Sequence, residues 1–264
     1  MLELVNVTKT FNPGTVNEKV ALNNLSLRLN DGDFVTVIGG NGAGKSTLLN
    51  AICGTWKLDC GSVVIDGKDV TALPDYKRAK FLGRVFQDPM MGTAPDMEIQ
   101  ENLALAKRRG ERRGLKWGIT SAEKEEYRKM LEQLDLGLEK RLTSKVGLLS
   151  GGQRQAITLL MASMQQPKIF LLDEHTAALD PKTAAKVLEI TEKIVSENHL
   201  TTLMITHNMK DAIRHGNRLI MMHEGRIVID VKGEEKKALT VEKLLEMFTK
   251  VSGSEFSSDR AILS

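Results

Sequence analysis

The chain opens on an alternation. In LELVNV, starting at Leu2, apolar and polar side chains take turns, as on a strand with one buried face. ALNNLSLRL repeats the alternation ahead of the turn NDGD. FVTVI, residues 34–38, breaks it with a solid apolar and β-branched run, which predicts a central strand buried on both faces. A glycine-rich loop and a helix near residues 46–53 follow. SVVIDGKDV reads as a strand with an Asp-Gly turn, and LGRVFQDP as a short strand ending near Gln87. From about residue 98 to 165 the pattern is mostly helical, in EIQENLALAKRR, SAEKEEYRKMLEQL and GGQRQAITLLMASM. KIFLLDE is a second apolar strand, KTAAKVLEITEKIV an amphipathic helix, TTLMITH a strand and RLIMMHEGRIVIDV a hairpin. TVEKLLEMFTK predicts a last helix with Thr240 as N-cap. The tail SGSEFSSDRAILS is expected to be loosely ordered. Strands, a helical block, then strands alternating with helices predict an α/β core with a helical subdomain inserted at about 90–165. No internal repeat is visible.

Composition narrows the picture. The 264 residues suit one large domain or a core with a subdomain, and 41% hydrophobic with 27% charged residues is a globular balance. A formal net charge of +3 does not imply a nucleic-acid partner. The one basic concentration, KRRGERRGLKW at residues 107–117, reads as a solvated loop, with a lipid or protein contact as the alternative. Two cysteines, Cys53 and Cys60, without a CxxC pattern suggest a reduced compartment and no disulfide framework. There is no secretory apolar core at the start and no run near the ~20 apolar residues of a membrane span. Action at a membrane would therefore require another, spanning subunit.

GGNGAGKST carries the first chemistry. Gly39, Gly40, Asn41, Gly42, Ala43, Gly44, Lys45, Ser46 and Thr47 fit G-x-x-x-x-G-K-[ST] between a predicted strand and a predicted helix, the context that motif requires. Loop N–H groups and a helix N-terminus surround phosphates there, Lys45 places a cation on the terminal phosphates, and the Ser46 hydroxyl is a ligand for Mg²⁺. In IFLLDE four apolar residues deliver Asp173 and Glu174 to a strand end. Asp173 would hold Mg²⁺ and Glu174 would orient and polarise a water. A glycine pair, Gly151 and Gly152, flanked by Ser150 and Gln153, opens the helix GGQRQAITLLMASM. Glycine costs roughly 1 kcal/mol inside a helix, so the pair is expected at a bare helix start.

These residues carry a resemblance. LSGGQ, with Ser150 standing 23 residues before Asp173, looks like the signature motif of the ATP-binding cassette (ABC) ATPases. The resemblance covers about residues 1–235. It implies that Ser150, Gly151, Gly152 and Gln153 reach across a dimer to the terminal phosphate held by a second copy of the chain. Gln87 in VFQDP resembles the glutamine that contacts Mg²⁺ or the water and hinges the helical subdomain. AALD, ending at Asp180, is similar to the loop that touches the opposite subunit; an N-cap role for Asp180 is compatible with it. His207 in MITH resembles the switch histidine at the terminal phosphate, and Phe11 in TKTF the aromatic that stacks on adenine, a core position being the alternative for Phe11. Many family members have proline after the catalytic glutamate. This chain has His175, read as a subfamily variation that adds a titratable ring beside the site.

The resemblance implies a P-loop NTPase (RecA-like) core with an antiparallel β subdomain and an inserted α-helical subdomain, over residues 1–240, followed by a C-terminal helix and tail at 241–264. It implies an ATPase subunit using ATP and Mg²⁺, with Glu174, His207 and Gln87 catalytic, and with Ser46, Gln87 and Asp173 around the metal. It also implies attachment through permease subunits to the cytoplasmic face of a membrane and, indirectly, work with a substrate-binding protein. DPMMGTAPDM is soft and Met-rich and suits a permease contact, core methionines being the alternative. The loop variants look like a bacterial importer subgroup for amino-acid-type solutes, with an amino acid as the expected solute and an aromatic one as an option within that class. An exporter subunit and a repair- or translation-type ATPase remain as alternatives.

Overall fold

The computed structural model describes residues 1–110 and 118–252; residues 111–117 of the basic run and the expected tail from 253 lie outside the described residues. β1 (Leu2–Phe11) and β2 (Lys19–Leu29) pair antiparallel, Leu2 opposite Leu29 and Phe11 opposite Lys19. β3 (Phe34–Ile38) is buried at all five positions and leads through the glycine loop into α1 (Lys45–Cys53). β4 (Cys60–Ile65) and β5 (Lys68–Asp69) turn at Asp66 and Gly67, whose φ values of 52° and 73° are those of a two-residue hairpin turn. The short α2 (Asp75–Arg78) and β6 (Leu82–Val85) follow. Three helices come next: α3 (Ile99–Lys107), α4 (Ser121–Glu132) and α5 (Gly151–Ser163). The chain continues through β7 (Ile169–Asp173), α6 (Pro181–Glu197), β8 (Thr202–Ile205), α7 (Met209–Arg214), the hairpin β9 (Arg218–His223) and β10 (Arg226–Lys232), α8 (Gly233–Lys237) and α9 (Val241–Ser252). Thr240 caps α9, its hydroxyl accepting from the Lys243 amide at 3.3 Å.

The strands make two sheets. One is antiparallel, in the order β2-β1-β4-β5, and the other is a six-stranded mixed sheet in the order β10-β9-β3-β8-β7-β6. β3 lies parallel to both β8 and β9, and β7 parallel to β8, so the fully apolar strands FVTVI and IFLLD sit inside the sheet where both faces are covered. Leu2, Leu4, Val35, Val37, Leu171 and Leu203 belong to one buried cluster that joins the two sheets.

The residues group into two compact units. The first comprises Met1–Leu82, Lys168–Glu174 and the described residues from His199 onward; the second comprises Gly83–Pro167 and His175–Asn198. The expected insertion at 90–165 lies within the second unit. That unit is wider than the sequence pattern suggested because α6 packs on α5. α9 is not a separate appendage: Leu244 and Phe248 are buried in a cluster with Ile38, Met209 and Met221 of the first unit.

Two buried cations act as clamps in the first unit. Arg78, 3% exposed, donates to the carbonyls of Ala51 and Ile52 at the end of α1 and to those of Leu73 and Thr71, all within 2.8–3.0 Å. Lys236, 2% exposed, donates to the carbonyls of His215 and Gly216 just past α7. Burial pushes the Lys236 amine from the usual 10.5 down to about 8. Between those values the unfolded chain holds a proton that the native protein lacks, so the Lys236 contribution to stability increases with pH across that window. Thermal unfolding of wild type and Lys236→Met should show this: the melting temperature of wild type relative to the variant rises from pH 8 to pH 10. A flat difference would remove the shifted titration.

Candidate functional site

The site begins where β3 ends. Gly39 and Gly44 must be glycine for steric reasons. Their φ values are 153° and 104°, and an added Cβ would lie 2.3 Å from the Met222 carbonyl oxygen at Gly39 and 2.4 Å from that of Ala21 at Gly44. Gly44 precedes the first turn of α1, whose leading N–H groups lack intrahelical partners. Lys45 is buried, and its ammonium donates to the carbonyls of Gly39 at 2.7 Å and Gly40 at 3.2 Å, which fixes it inside its own loop.

Above this loop lies a cleft of about 280 Å³, lined by residues 41–47 together with Phe11, Lys19, Ala21, Glu174 and His207. All belong to the first unit. Phe11 is half-buried and faces the cleft instead of the core, braced edge-on by Trp56 at a 5.4 Å centroid distance. Lys19 and Ala21 were not found by motif reading. Their only sequence signal is the β1–β2 register, which sets Lys19 opposite Phe11.

Glu174 follows the end of β7 with a φ of 48°, a left-handed conformation that is uncommon for a residue with a side chain. Such strain persists where surrounding structure enforces it, and here the Glu174 amide donates to the Ile205 carbonyl at 3.1 Å. The carboxylate meets the His207 Nε2 at 2.6 Å. The two expected catalytic groups are thus bonded to each other. Nε2 carries the proton in that contact, and the buried Nδ1 of His207 has no hydrogen-bond partner among the described residues.

Asp173, half-buried, closes β7. Among the described residues no three His, Cys, Asp or Glu side chains cluster tightly enough to hold a metal alone. A hydroxyl at Ser46 and a carboxylate at Asp173 fit Mg²⁺, a hard ion that takes one or two protein ligands and fills its shell with phosphate oxygens and water.

The other expected residues lie in the second unit. Gln87 is exposed, and the backbone beside it is held by the buried Gln155, whose Nε2 donates to the Phe86 carbonyl at 3.2 Å. α5 starts at Gly151, but its terminus is not bare. Ser150 accepts from the Gln153 amide at 3.3 Å, and the Gln153 side chain accepts from the Ser150 amide at 3.2 Å, closing a capping box. Gly152 has a packing reason as well, since a Cβ there would lie 2.1 Å from the Thr183 methyl on α6. Arg154 secures the approach to Ser150 through the carbonyls of Val146, Gly147 and Leu149. Asp180 caps α6, accepting from the Thr183 amide at 3.1 Å, and that bonding holds its carboxyl below the usual range.

The His175 ring is not open to solvent. It is 2% exposed, with Nε2 3.0 Å from the Thr191 hydroxyl on α6. That hydroxyl already donates to the Val187 carbonyl at 2.8 Å, so His175 Nε2 is the donor of the pair.

Comparison with known proteins agrees with this architecture. The family model described as ABC transporter matches residues 22–177. The chain is 48% identical to the tyrosine transport ATP-binding protein of Clostridioides difficile over 248 residues, covering 94% of this chain and 98% of that protein. It is 32% identical to the spermidine/putrescine import ATP-binding protein PotA of Haemophilus influenzae over 87% of this chain, and spans 57% of PotA. Among solved structures, a dimeric ATP-binding cassette in a post-hydrolysis state bound to ADP and Pi superposes with a TM-score of 0.74 at 32% identity, over 88% of this chain and 98% of the other. The ADP conformation of an ATP-binding cassette of an ABC transporter gives a TM-score of 0.76 at 30% identity, over 94% and 98%.

Proposed function

The chain belongs to the ABC transporter family as an ATP-hydrolysing subunit with a P-loop NTPase core, and from that premise we propose that it energises import of an amino acid, tyrosine in the first instance. The observation that carries the solute is the 48% identity with a tyrosine transport ATP-binding protein over nearly the full length of both chains. Among the described residues no helix is long and apolar enough to cross a membrane. In this reading the chain sits at the cytoplasmic face of the membrane on permease subunits, which receive solute from a substrate-binding protein. Met91 and Leu148, 68% and 73% exposed, offer apolar contacts for such a permease.

Residues 1–240 act as the ATPase domain, with ATP in the cleft over residues 41–47. Phe11 packs against the base. Lys45 and the loop amides hold the phosphates, and Ser46, Asp173 and Gln87 would hold Mg²⁺, which would neutralise phosphate charge when bound. Glu174, oriented by His207, takes up a proton from the attacking water. Ser150, Gly151, Gly152, Gln153 and Asp180 of a second copy complete the site, a reading supported by the dimeric form of the similar cassette bound to ADP and Pi. Closure then depends on the terminal phosphate shared by two chains, and hydrolysis removes that shared ligand.

Proteoliposomes containing the permease and this chain, with ATP enclosed, should take up labelled tyrosine supplied outside with the substrate-binding protein. Vesicles lacking the chain or ATP should not. Uptake of another solute in place of tyrosine would overturn the assignment of solute. Phosphate release from ATP without any acceptor tests the ATPase separately.

A further inference from the structure

Lys19 starts β2 directly opposite Phe11, yet its ammonium lies at the phosphate loop: a Cβ built on Gly42 would come within 2.6 Å of Lys19 Nζ. The side chain therefore runs from the aromatic side of the cleft to the glycine loop, and it lines the cleft itself. It makes no hydrogen bond or ion pair among the described residues. Of the nearby charged side chains, Lys45 bonds its own loop carbonyls, Lys9 pairs with Asp59 at 3.0 Å, Glu18 accepts from the Gly14 amide at 2.6 Å, Glu174 pairs with His207, and Glu224 lines the adjoining pocket with Lys19 but makes no ion pair to it. An exposed lysine whose ammonium reaches a phosphate loop without forming an ion pair is poised for an anion.

We propose that Lys19 is a nucleotide-binding residue that places a second cation, beside Lys45, on the phosphates of the bound nucleotide. This rests on the reading of the cleft as the ATP site. A multiply charged phosphate chain gains from a cation on each side of the loop. The long lysine stem at the same time covers the cleft between Phe11 and Gly42, and Gly42 keeps the approach open by lacking a side chain.

Calorimetric titration of the full chain with ADP, and with adenosine as a phosphate-free control, tests this. For Lys19→Ala the ratio of ADP to adenosine affinity should fall about tenfold, the scale of one partly exposed charge-assisted bond. Lys19→Arg should restore most of that ratio, and the wild-type preference for ADP should weaken with added salt more steeply than that of the alanine variant. Equal weakening for ADP and adenosine, or an unchanged ratio, would overturn the assignment of Lys19 while leaving the nucleotide site standing. A wild-type chain that binds no ADP would overturn the site reading and this inference together.

Discussion

Glu174→Gln should hydrolyse ATP at less than about one-hundredth of the wild-type rate, the scale of a lost general base, while binding ATP as before. An amide cannot take up a proton, but it matches the carboxylate in shape, and its oxygen still accepts from His207 Nε2. The left-handed backbone at Glu174 is imposed by the end of β7 and the Ile205 contact, so the exchange leaves the fold unchanged. With binding intact and turnover stopped, the ATP-loaded dimer should accumulate and be visible by light scattering. Turnover near the wild-type rate would remove Glu174 from its role.

Ser150→Arg should prevent the ATP-dependent dimer and lower turnover by about two orders of magnitude, the range for a lost preorganised donor at a reacting phosphate. Ser150 is exposed and is not one of the residues lining the cleft, so the monomer should bind ADP with wild-type affinity. Loss of the cap costs about 1 kcal/mol, which the Arg154 bonds before α5 and the packing of α5 on α6 tolerate. Normal dimerisation of this variant with ATP would sink the cross-subunit reading.

The core and the phosphate loop were legible because their signals are local. FVTVI and IFLLD announce buried parallel strands by composition, and a glycine-rich loop between strand and helix has few other uses. The capping box at Ser150 and Gln153 was also written in the sequence, as a serine followed three residues later by glutamine, but the flanking glycines suggested an open terminus instead. What could not be read depends on residues far apart in the chain. Gly152 is dictated by Thr183, the buried His175 ring bonds Thr191, and α6 joins the helical unit through α5. Lys19 reaches Gly42 only because two sheets and a loop converge, and no spacing rule encodes that distance.

The clamp formed by Arg78 has a kinetic consequence. Arg78 ties the Ala51 and Ile52 carbonyls at the far end of α1 to those of Thr71 and Leu73, which opposes fraying of the helix behind the phosphate loop, and Gly39, Gly42 and Gly44 ahead of it hold the positive φ values that the loop needs. Capture of a polyphosphate then needs little loop rearrangement, so little ordering entropy opposes it. Encounter with it is then governed by diffusion and charge.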